Sequence, residues 1–158
     1  MKSITLSQGM STQIDDADYG RVNAIGWYAF WNGRHWYAVR NIRVNGRGGT
    51  EYLHRFIVGA SGKAHVDHIN GDTLNNCRDN LRLATCAENC RNRGKTLSNT
   101  SGHKGVSWNK RTEKWKAFIR VNYRQISLGE FFNKTLAALA YDDAAMKYFG
   151  EFAKLNFA

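Results

Sequence analysis

Runs of aromatic and β-branched residues separated by Asn-Gly pairs constrain the fold of this chain more than any other feature. In the first 60 residues the runs are WYAFW (27–31), HWYAVRNIRV (35–44) and EYLHRFIV (51–58), and the turn signals are Asn32-Gly33, Asn45-Gly46 and Gly48-Gly49. Asn-Gly pairs readily adopt the positive φ angles of tight hairpin turns. We therefore expect a β-rich region over residues 1 to about 60, with a strand in each run.

The last third of the chain returns to strand character. WKAFIRV (115–121) alternates in polarity, and QISLGEF (125–131) follows after a turn near Asn122-Tyr123. Residues 133–149 are predicted to form a helix, with Asn133 as its N-cap and Gly150 as its stop. Small residues give this helix a face that can lie close against a sheet. They are Ala137, Ala140, Ala144 and Ala145, with Tyr141 among them.

A polar segment over 61–92 and a basic, Gly/Ser-rich stretch over 93–103 separate these two regions. We interpret 93–103 as a linker that lies across an anionic partner. A chain of 158 residues can form two small domains, which we place at 1–92 and 104–158. The expected fold class is α+β, with a short helix opened by Asp15, Asp16 and Asp18 ahead of the strand at 27–31.

The formal net charge of +10 favours a polyanionic partner, because each Lys or Arg at a phosphate releases condensed counterions. No apolar stretch approaches the roughly 20 residues that span a bilayer, and the first residues lack the apolar run of a signal peptide. We therefore expect a cytoplasmic protein without a membrane partner.

Three cysteines, Cys77, Cys86 and Cys90, cannot all pair within the chain, and a reducing compartment keeps them as thiols. Cys86 and Cys90 are spaced to share a helical face, which would suit a zinc ligand pair. The chain has neither a CxxC pair nor a second cluster, so the sequence does not favour zinc.

The central segment contains the residue types that phosphodiester hydrolysis requires: a base for water and ligands for a cation. Asp67 and His68 are adjacent, so in an extended segment their side chains point to opposite faces. Asn80 follows 12 positions after His68, and Thr85-Cys86-Ala87-Glu88 fits a capping box that starts a helix. The pattern predicts two strands and a helix, with Asn80 at the turn and Asn89 on the helix.

The central segment closely resembles the HNH nuclease family. The matching features are VDHINGD, the asparagines 75 and 76, NLR at 80–82 and TxxxN at 85–89. The resemblance covers about residues 52–92 and implies a ββα-metal motif. It implies that His68 is the general base and that Asp67 and Asn89 hold one divalent cation. It implies that Asn80 has a structural role in pinning the loop.

Many HNH proteins have His where this chain has Asn89. That variant resembles the nicking homing endonucleases of phages, and its oxygen ligands favour Mg²⁺ or Mn²⁺ over zinc. The resemblance implies an enzyme of a phage-infected or bacterial cell that leaves a 5′-phosphate and a 3′-hydroxyl. Arg55, Arg91 and Arg93 flank the motif and are candidate phosphate contacts.

The C-terminal strands carry a strong positive charge on one face. Side chains alternate between the two faces of a strand. The packed face is therefore expected to contain Trp115, Ala117, Ile119 and Val121, and the cationic face Lys116, Phe118 and Arg120. The last third of the chain resembles the plant ethylene-response-factor (Apetala-type) DNA-binding domain in the segments KGVSW, WKAFIRV, LGEF, AYDDAA and AKLNF. The resemblance implies a three-stranded antiparallel sheet packed on one helix. The candidate DNA-binding residues are Lys104, Ser107, Asn109, Lys116, Arg120, Arg124, Gln125 and Ser127.

These features together predict a metal-dependent, site-specific DNA endonuclease of the homing type that nicks double-stranded DNA as a monomer, with no obligate protein partner. The alternative is a DNA-binding regulator built on an inactive nuclease fold. An RNA-binding protein is compatible with the charge, although no RNA-binding motif supports it. The N-terminal arginines 34, 40, 43 and 47 are further candidate DNA contacts.

Overall fold

The computed structural model describes residues 1–157, which divide into two compact units, Met1–Asn89 and 90–157. Both units contain small antiparallel sheets and few helices, which confirms the expected mixture of helix and strand. The division lies shortly before the stretch interpreted as a linker. Among the described residues, no helix has the length and apolar character needed to cross a membrane.

The first unit contains three antiparallel sheets. The first pairs β1 (Lys2–Thr5) with β2 (Ser11–Ile14), and the second has the order β3 (Tyr28–Trp31), β4 (Trp36–Val44), β5 (Arg47–Tyr52). The third pairs β6 (His65–His68) with β7 (Leu81–Ala84). The helices are α1 (Asp16–Asn23), α2 (Leu53–Val58) and α3 (Cys86–Arg91), which runs across the division between the units.

Local sequence chemistry accounts for several of these boundaries. As predicted, α1 opens at the three aspartates: Asp15 occupies the N-cap position, without a capping hydrogen bond from its side chain, and Asp16 and Asp18 lie in the first turn. Asn45 and Gly46 adopt φ angles of 49° and 76° between β4 and β5, which is the geometry of a tight hairpin turn with two left-handed residues. The predicted turn at Asn32-Gly33 also lies between two strands, β3 and β4.

Two secondary-structure predictions are wrong. Residues 53–58 form α2 instead of a strand, because Leu53 and Ile57, four residues apart, are both buried on one helical face. Gly59 then ends the helix with a φ of 66°. Gly48 and Gly49 do not break a strand but lie inside β5, opposite Arg43 and Ile42. Here packing and strand pairing override local propensity.

The first unit has one apolar core and one buried ionic cluster. The core joins residues from the first hairpin to β7, among them Ile14, Leu53 and Val66. Asp18 is 3% exposed and accepts hydrogen bonds from Arg21 (2.8 Å) and Arg78 (2.8 Å). Both arginines also donate to the carbonyl of Ile57, at 2.7 and 3.0 Å. The cluster therefore ties α1 and α2 to the loop before β7.

The second unit is a three-stranded antiparallel sheet packed on one helix. Its strands are β8 (Val106–Asn109), β9 (Lys114–Val121) and β10 (Arg124–Phe131), in the order β10-β9-β8, followed by α4 (Lys134–Phe149). Asn133 caps α4 by accepting from the amide of Thr135 (2.7 Å), and Gly150 follows its last residue, as predicted. The predicted turn residues Asn122 and Tyr123 both have positive φ.

Small residues let α4 lie close to this sheet. Ala137, Ala138 and Ala145 are fully buried. Gly105 approaches Tyr141 so closely that a Cβ atom there would lie 1.9 Å from the ring. The predicted small-residue face is confirmed by this packing.

Candidate functional site

The hairpin of β6 and β7 holds the predicted catalytic pair. Asp67 is paired across the sheet with Arg82, and His68 with Leu81. Because successive side chains of a strand point to opposite faces, the carboxylate and the imidazole have different surroundings. Both residues are buried, with exposures of 5% and 6%.

Asp67 forms a buried ion pair with its cross-strand neighbour. Arg82 donates to Asp67 Oδ2 from Nε (3.0 Å) and from Nη2 (2.8 Å), and the Arg82 side chain is 11% exposed. The guanidinium balances the charge of a carboxylate that would otherwise be costly to bury. Arg82 therefore orients Asp67, a role that the sequence analysis missed although Arg82 belongs to the NLR tract.

His68 lies among other rings. The ring of His54 is 5.0 Å away in an edge-on orientation, and the ring of Tyr37 is 6.4 Å away. Burial lowers the pKa of His68 below its ordinary value, and the hydrogen bond with Asn76 and the charge of Asp67 only partly oppose this. A neutral imidazole results at neutral pH, which is the form that can accept a proton.

His54 extends this cluster from α2. Burial lowers the pKa of His54 to about 3, and the charges of His68 and Arg55 act in the same direction. Its ring also contacts Tyr52 and Tyr37, with centroid distances of 5.3 and 5.8 Å. These contacts fit a packing role for His54.

Asn80 connects the two sides of the loop between β6 and β7. Its Oδ1 accepts from the amide of Asn70 (3.0 Å), and its Nδ2 donates to the carbonyl of Asn75 (2.8 Å). Its own carbonyl accepts from the amide of Ile69 (2.9 Å). These three bonds hold the start of the loop, next to His68, against its end.

α3 begins with the predicted capping box. The Thr85 amide donates to Glu88 Oε2 (2.7 Å), and the Glu88 amide donates to Thr85 Oγ1 (3.2 Å). Asn89 is half-buried on this helix, and its amide donates to the Thr85 carbonyl (3.0 Å). Cys86 and Cys90 are exposed free thiols, whereas Cys77 is a buried one.

The predicted ligand pair suits a hard divalent ion by its chemistry. Asp67 offers a carboxylate and Asn89 an amide oxygen, and Mg²⁺ keeps several waters, so two protein ligands suffice. Within residues 1–157, no three His, Cys, Asp or Glu side chains converge to hold a metal.

Two of the candidate phosphate contacts next to the motif have partners within their own unit. Arg55 donates to the main-chain carbonyls of Ala64 and Gly62, and so holds the loop between α2 and β6. The guanidinium of Arg91 lies 5.0 Å from the ring of Phe149. Arg93 is exposed.

Lys104 is held by main-chain carbonyls. Its Nζ donates to the carbonyls of Arg91 and Arg93. Burial lowers the pKa of Lys104 to about 8, and the charge of Lys154 adds to the effect. This ammonium group therefore orders the segment after α3, a role that the sequence analysis did not predict.

The outer face of the second sheet presents most of the other predicted DNA-binding positions. Arg120 is paired with Gln125, and Ser107 with Lys116, across neighbouring strands. Ser107, Arg120, Gln125 and Ser127 are exposed on this face, and Lys116 is half-exposed. Arg124 is exposed at the start of β10, opposite Val121 of the packed face. Asn109 is also on β8, where its Nδ2 donates to Glu130 (2.7 Å).

Residues 51–91 match the family model of the HNH endonucleases, so this part of the chain is an HNH endonuclease domain. Two viral proteins are similar to this chain. Protein 3.8 of Escherichia phage T7 is 46% identical over 61 residues, which cover 39% of this chain and 50% of that protein. An uncharacterized HNH endonuclease of Acanthamoeba polyphaga mimivirus is 37% identical over 114 residues, 68% of this chain and 58% of the relative.

A second kind of relative comes from plants. The APETALA2-like protein 2 of Oryza sativa subsp. indica is 40% identical over 60 residues, which cover 38% of this chain and 14% of that protein. The chain spans about half the length of the viral relatives that it matches. No solved structure matches the chain significantly.

Proposed function

We propose that this chain is a metal-dependent endonuclease that cuts double-stranded DNA through its HNH domain. The observation that carries the proposal is the buried pair on β6, where His68 has a lowered pKa and the preceding residue, Asp67, presents a carboxylate on the other face of the strand. A base that is neutral at working pH and adjacent to a ligand for a hard cation is what phosphodiester hydrolysis requires.

In the proposed mechanism His68 removes a proton from the attacking water. Asp67 and Asn89 would hold a Mg²⁺ or Mn²⁺ ion, which supplies positive charge for the developing negative charge at the phosphate. Arg82 keeps Asp67 in place, and Asn80 keeps the loop after His68 closed. The proposed products are a 5′-phosphate and a 3′-hydroxyl.

We assign DNA affinity mainly to the second unit. Its exposed cationic sheet face and the partial identity to the plant APETALA2-like proteins support an Apetala-type mode of binding, in which the sheet enters a DNA groove. Arg120 and Gln125, paired on the outer face, are the best-placed base contacts. Lys116 and Arg124 would bind phosphate.

We further propose that the monomer nicks one strand, as a homing-type enzyme acting at a specific site. The chain contains one Asp-His…Asn…Asn set, and one such set completes one strand cleavage per binding event. The two units differ in structure, which favours a non-palindromic target over a two-fold dimer on a palindrome.

Plasmid cleavage with Mg²⁺ or Mn²⁺, compared with EDTA, tests these proposals. The wild type should convert supercoiled plasmid to open circles, and EDTA should stop the reaction. His68→Ala should lose cleavage by at least about a hundredfold while retaining its affinity for DNA, because the base contributes to chemistry and not to phosphate binding. His65→Ala is the matched control, since His65 is exposed on the same strand.

Three results would contradict these proposals. Wild-type cleavage rates in His68→Ala would remove the base assignment. Prompt linearisation by a dimer in solution would exclude the nickase. Tight DNA binding without cleavage in either metal would favour the alternative, a DNA-binding regulator on an inactive nuclease fold, in which Arg82 neutralises Asp67 instead of orienting it.

A further inference from the structure

A chain of buried hydrogen bonds connects His68 to the N-terminal hairpin. His68 Nε2 lies 3.1 Å from Asn76 Oδ1, and Asn76 Nδ2 donates to Thr12 Oγ1 at 2.7 Å. Thr12 Oγ1 in turn donates to the carbonyl of Leu74 at 2.7 Å. Thr12 and Asn76 are 0% and 1% exposed, so water does not compete for these bonds.

The protons of this chain can be assigned by elimination. The Leu74 carbonyl has no hydrogen, so the short contact with Thr12 requires the single hydroxyl proton of Thr12. The oxygen of Thr12 must then accept from its other neighbour, which orients the amide of Asn76 with Nδ2 towards Thr12. The opposite orientation would bring two oxygens to 2.7 Å without a proton between them.

The orientation of Asn76 determines the tautomer of His68. With Nδ2 towards Thr12, Oδ1 faces His68 and can only accept a hydrogen bond. His68 Nε2 must therefore carry the ring proton, which leaves the lone pair on Nδ1.

We propose that Thr12 and Asn76 are positioning residues that hold His68 in the Nε2–H tautomer and so make Nδ1 the proton-accepting atom. Thr12 lies outside residues 51–91, so the N-terminal hairpin completes the HNH domain. The main chain reinforces the connection, since the amide of Gln13 donates to Leu74 (2.9 Å) and the amide of Asn76 donates to Gln13 (2.8 Å). The role in catalysis rests on the proposed function, whereas the tautomer does not.

Imidazole ¹⁵N chemical shifts of the full chain test the tautomer without DNA or metal. The wild type should show a pyrrole-type shift at His68 Nε2 and a pyridine-type shift at Nδ1, with the signals assigned by their loss in His68→Gln. The opposite pattern in the wild type would overturn the proposal, whatever the variants do.

Thr12→Val and Thr12→Ser form a matched pair. Thr12→Val keeps the shape but removes the hydroxyl, so the population ratio of the Nε2–H to the Nδ1–H tautomer should fall by on the order of tenfold, the factor that one ordinary hydrogen bond sustains. The kcat for cleavage should fall in proportion to the lost Nε2–H fraction, with KM for DNA unchanged. Thr12→Ser keeps the hydroxyl and should restore both the tautomer and kcat.

The two proposals fail in different ways. A wild type with the Nε2–H tautomer that never cuts DNA would overturn the proposed function and support the tautomer assignment. Cleavage by a folded Thr12→Val protein at the wild-type kcat, with a clearly lower fraction of the Nε2–H tautomer, would overturn the positioning role and leave the nuclease intact.

Discussion

Acid should destabilise the first unit through His54, which is 9% exposed. The groups that face its ring are Tyr37 from β4, Tyr52 at the end of β5, His68 from β6 and Arg55 on its own helix. None of them offers the negative charge that would favour an imidazolium. Burial therefore lowers the pKa of His54 from 6.5 to about 3.

The sign and size of the effect follow from proton linkage. Between pH 6.5 and pH 3 the unfolded chain binds a proton at His54 that the folded chain does not, so the free energy of unfolding falls as the pH falls through this window. The expected loss is about 2 kcal/mol from pH 7 to pH 5 and approaches about 5 kcal/mol below pH 3. Well above pH 6.5, where neither the folded nor the unfolded chain binds this proton, His54 contributes no pH dependence.

Urea unfolding of the wild type and of His54→Phe at pH 7 and pH 5 measures this loss. The methyl resonances of Leu53 and Ile57 report the first unit alone, because both side chains are buried in its core. Phe keeps an aromatic ring but cannot titrate, so the variant should lose about 2 kcal/mol less than the wild type over this range. His65→Phe, at an exposed position, should behave as the wild type. Equal pH dependence in the wild type and His54→Phe would refute the reasoning.

Two further predictions concern stability. Gly105→Ala should destabilise the second unit by at least about 3 kcal/mol, because its Cβ would overlap the ring of Tyr141. Gly102→Ala, with a similar positive φ but open space, should cost about 1 kcal/mol, and equal melting temperatures for the two variants would contradict the packing argument. Asp18→Asn should cost the first unit about 2 kcal/mol in urea unfolding, because two arginines lose a buried anion. Asp16→Asn, whose carboxylate is exposed, should be nearly neutral, and a similar loss in both would show that burial is not the cause.

The sequence predicted those features that depend on near neighbours along the chain. The turn at Asn45-Gly46 depends on two adjacent residues that tolerate positive φ angles. The caps at Thr85 and Asn133 use side chains that accept from amides two or three residues ahead. The prediction failed at 53–58, where strand-forming residues form α2 because burial of Leu53 and Ile57 decides the outcome. Propensity is weaker than the burial of two large side chains.

The surroundings of the candidate site depend on contacts that sequence spacing does not contain. Arg82 reaches Asp67 across a strand pair, and Thr12 reaches Asn76 across 64 positions. The motif predicts which residues carry the proposed chemistry, because the residue types and their spacing follow from what that chemistry requires. The residues that orient them can come from anywhere in the fold, so only the structure locates them.

The HNH segment of this chain is not a self-sufficient structural unit. Its loop between β6 and β7 is held from outside residues 51–91. The Arg78 amide donates to Asp15 (2.7 Å), and the Arg78 side chain binds Asp18, both at the start of α1. Thr73 donates to the carbonyl of Trp36 on β4. Each of these bonds holds the segment between His68 and Asn80. This segment follows the proposed base, His68, and the proposed cation ligand, Asp67, directly along the chain. The N-terminal sheets therefore serve first as the scaffold of the candidate site, and any contact with DNA from their arginines is added to that role.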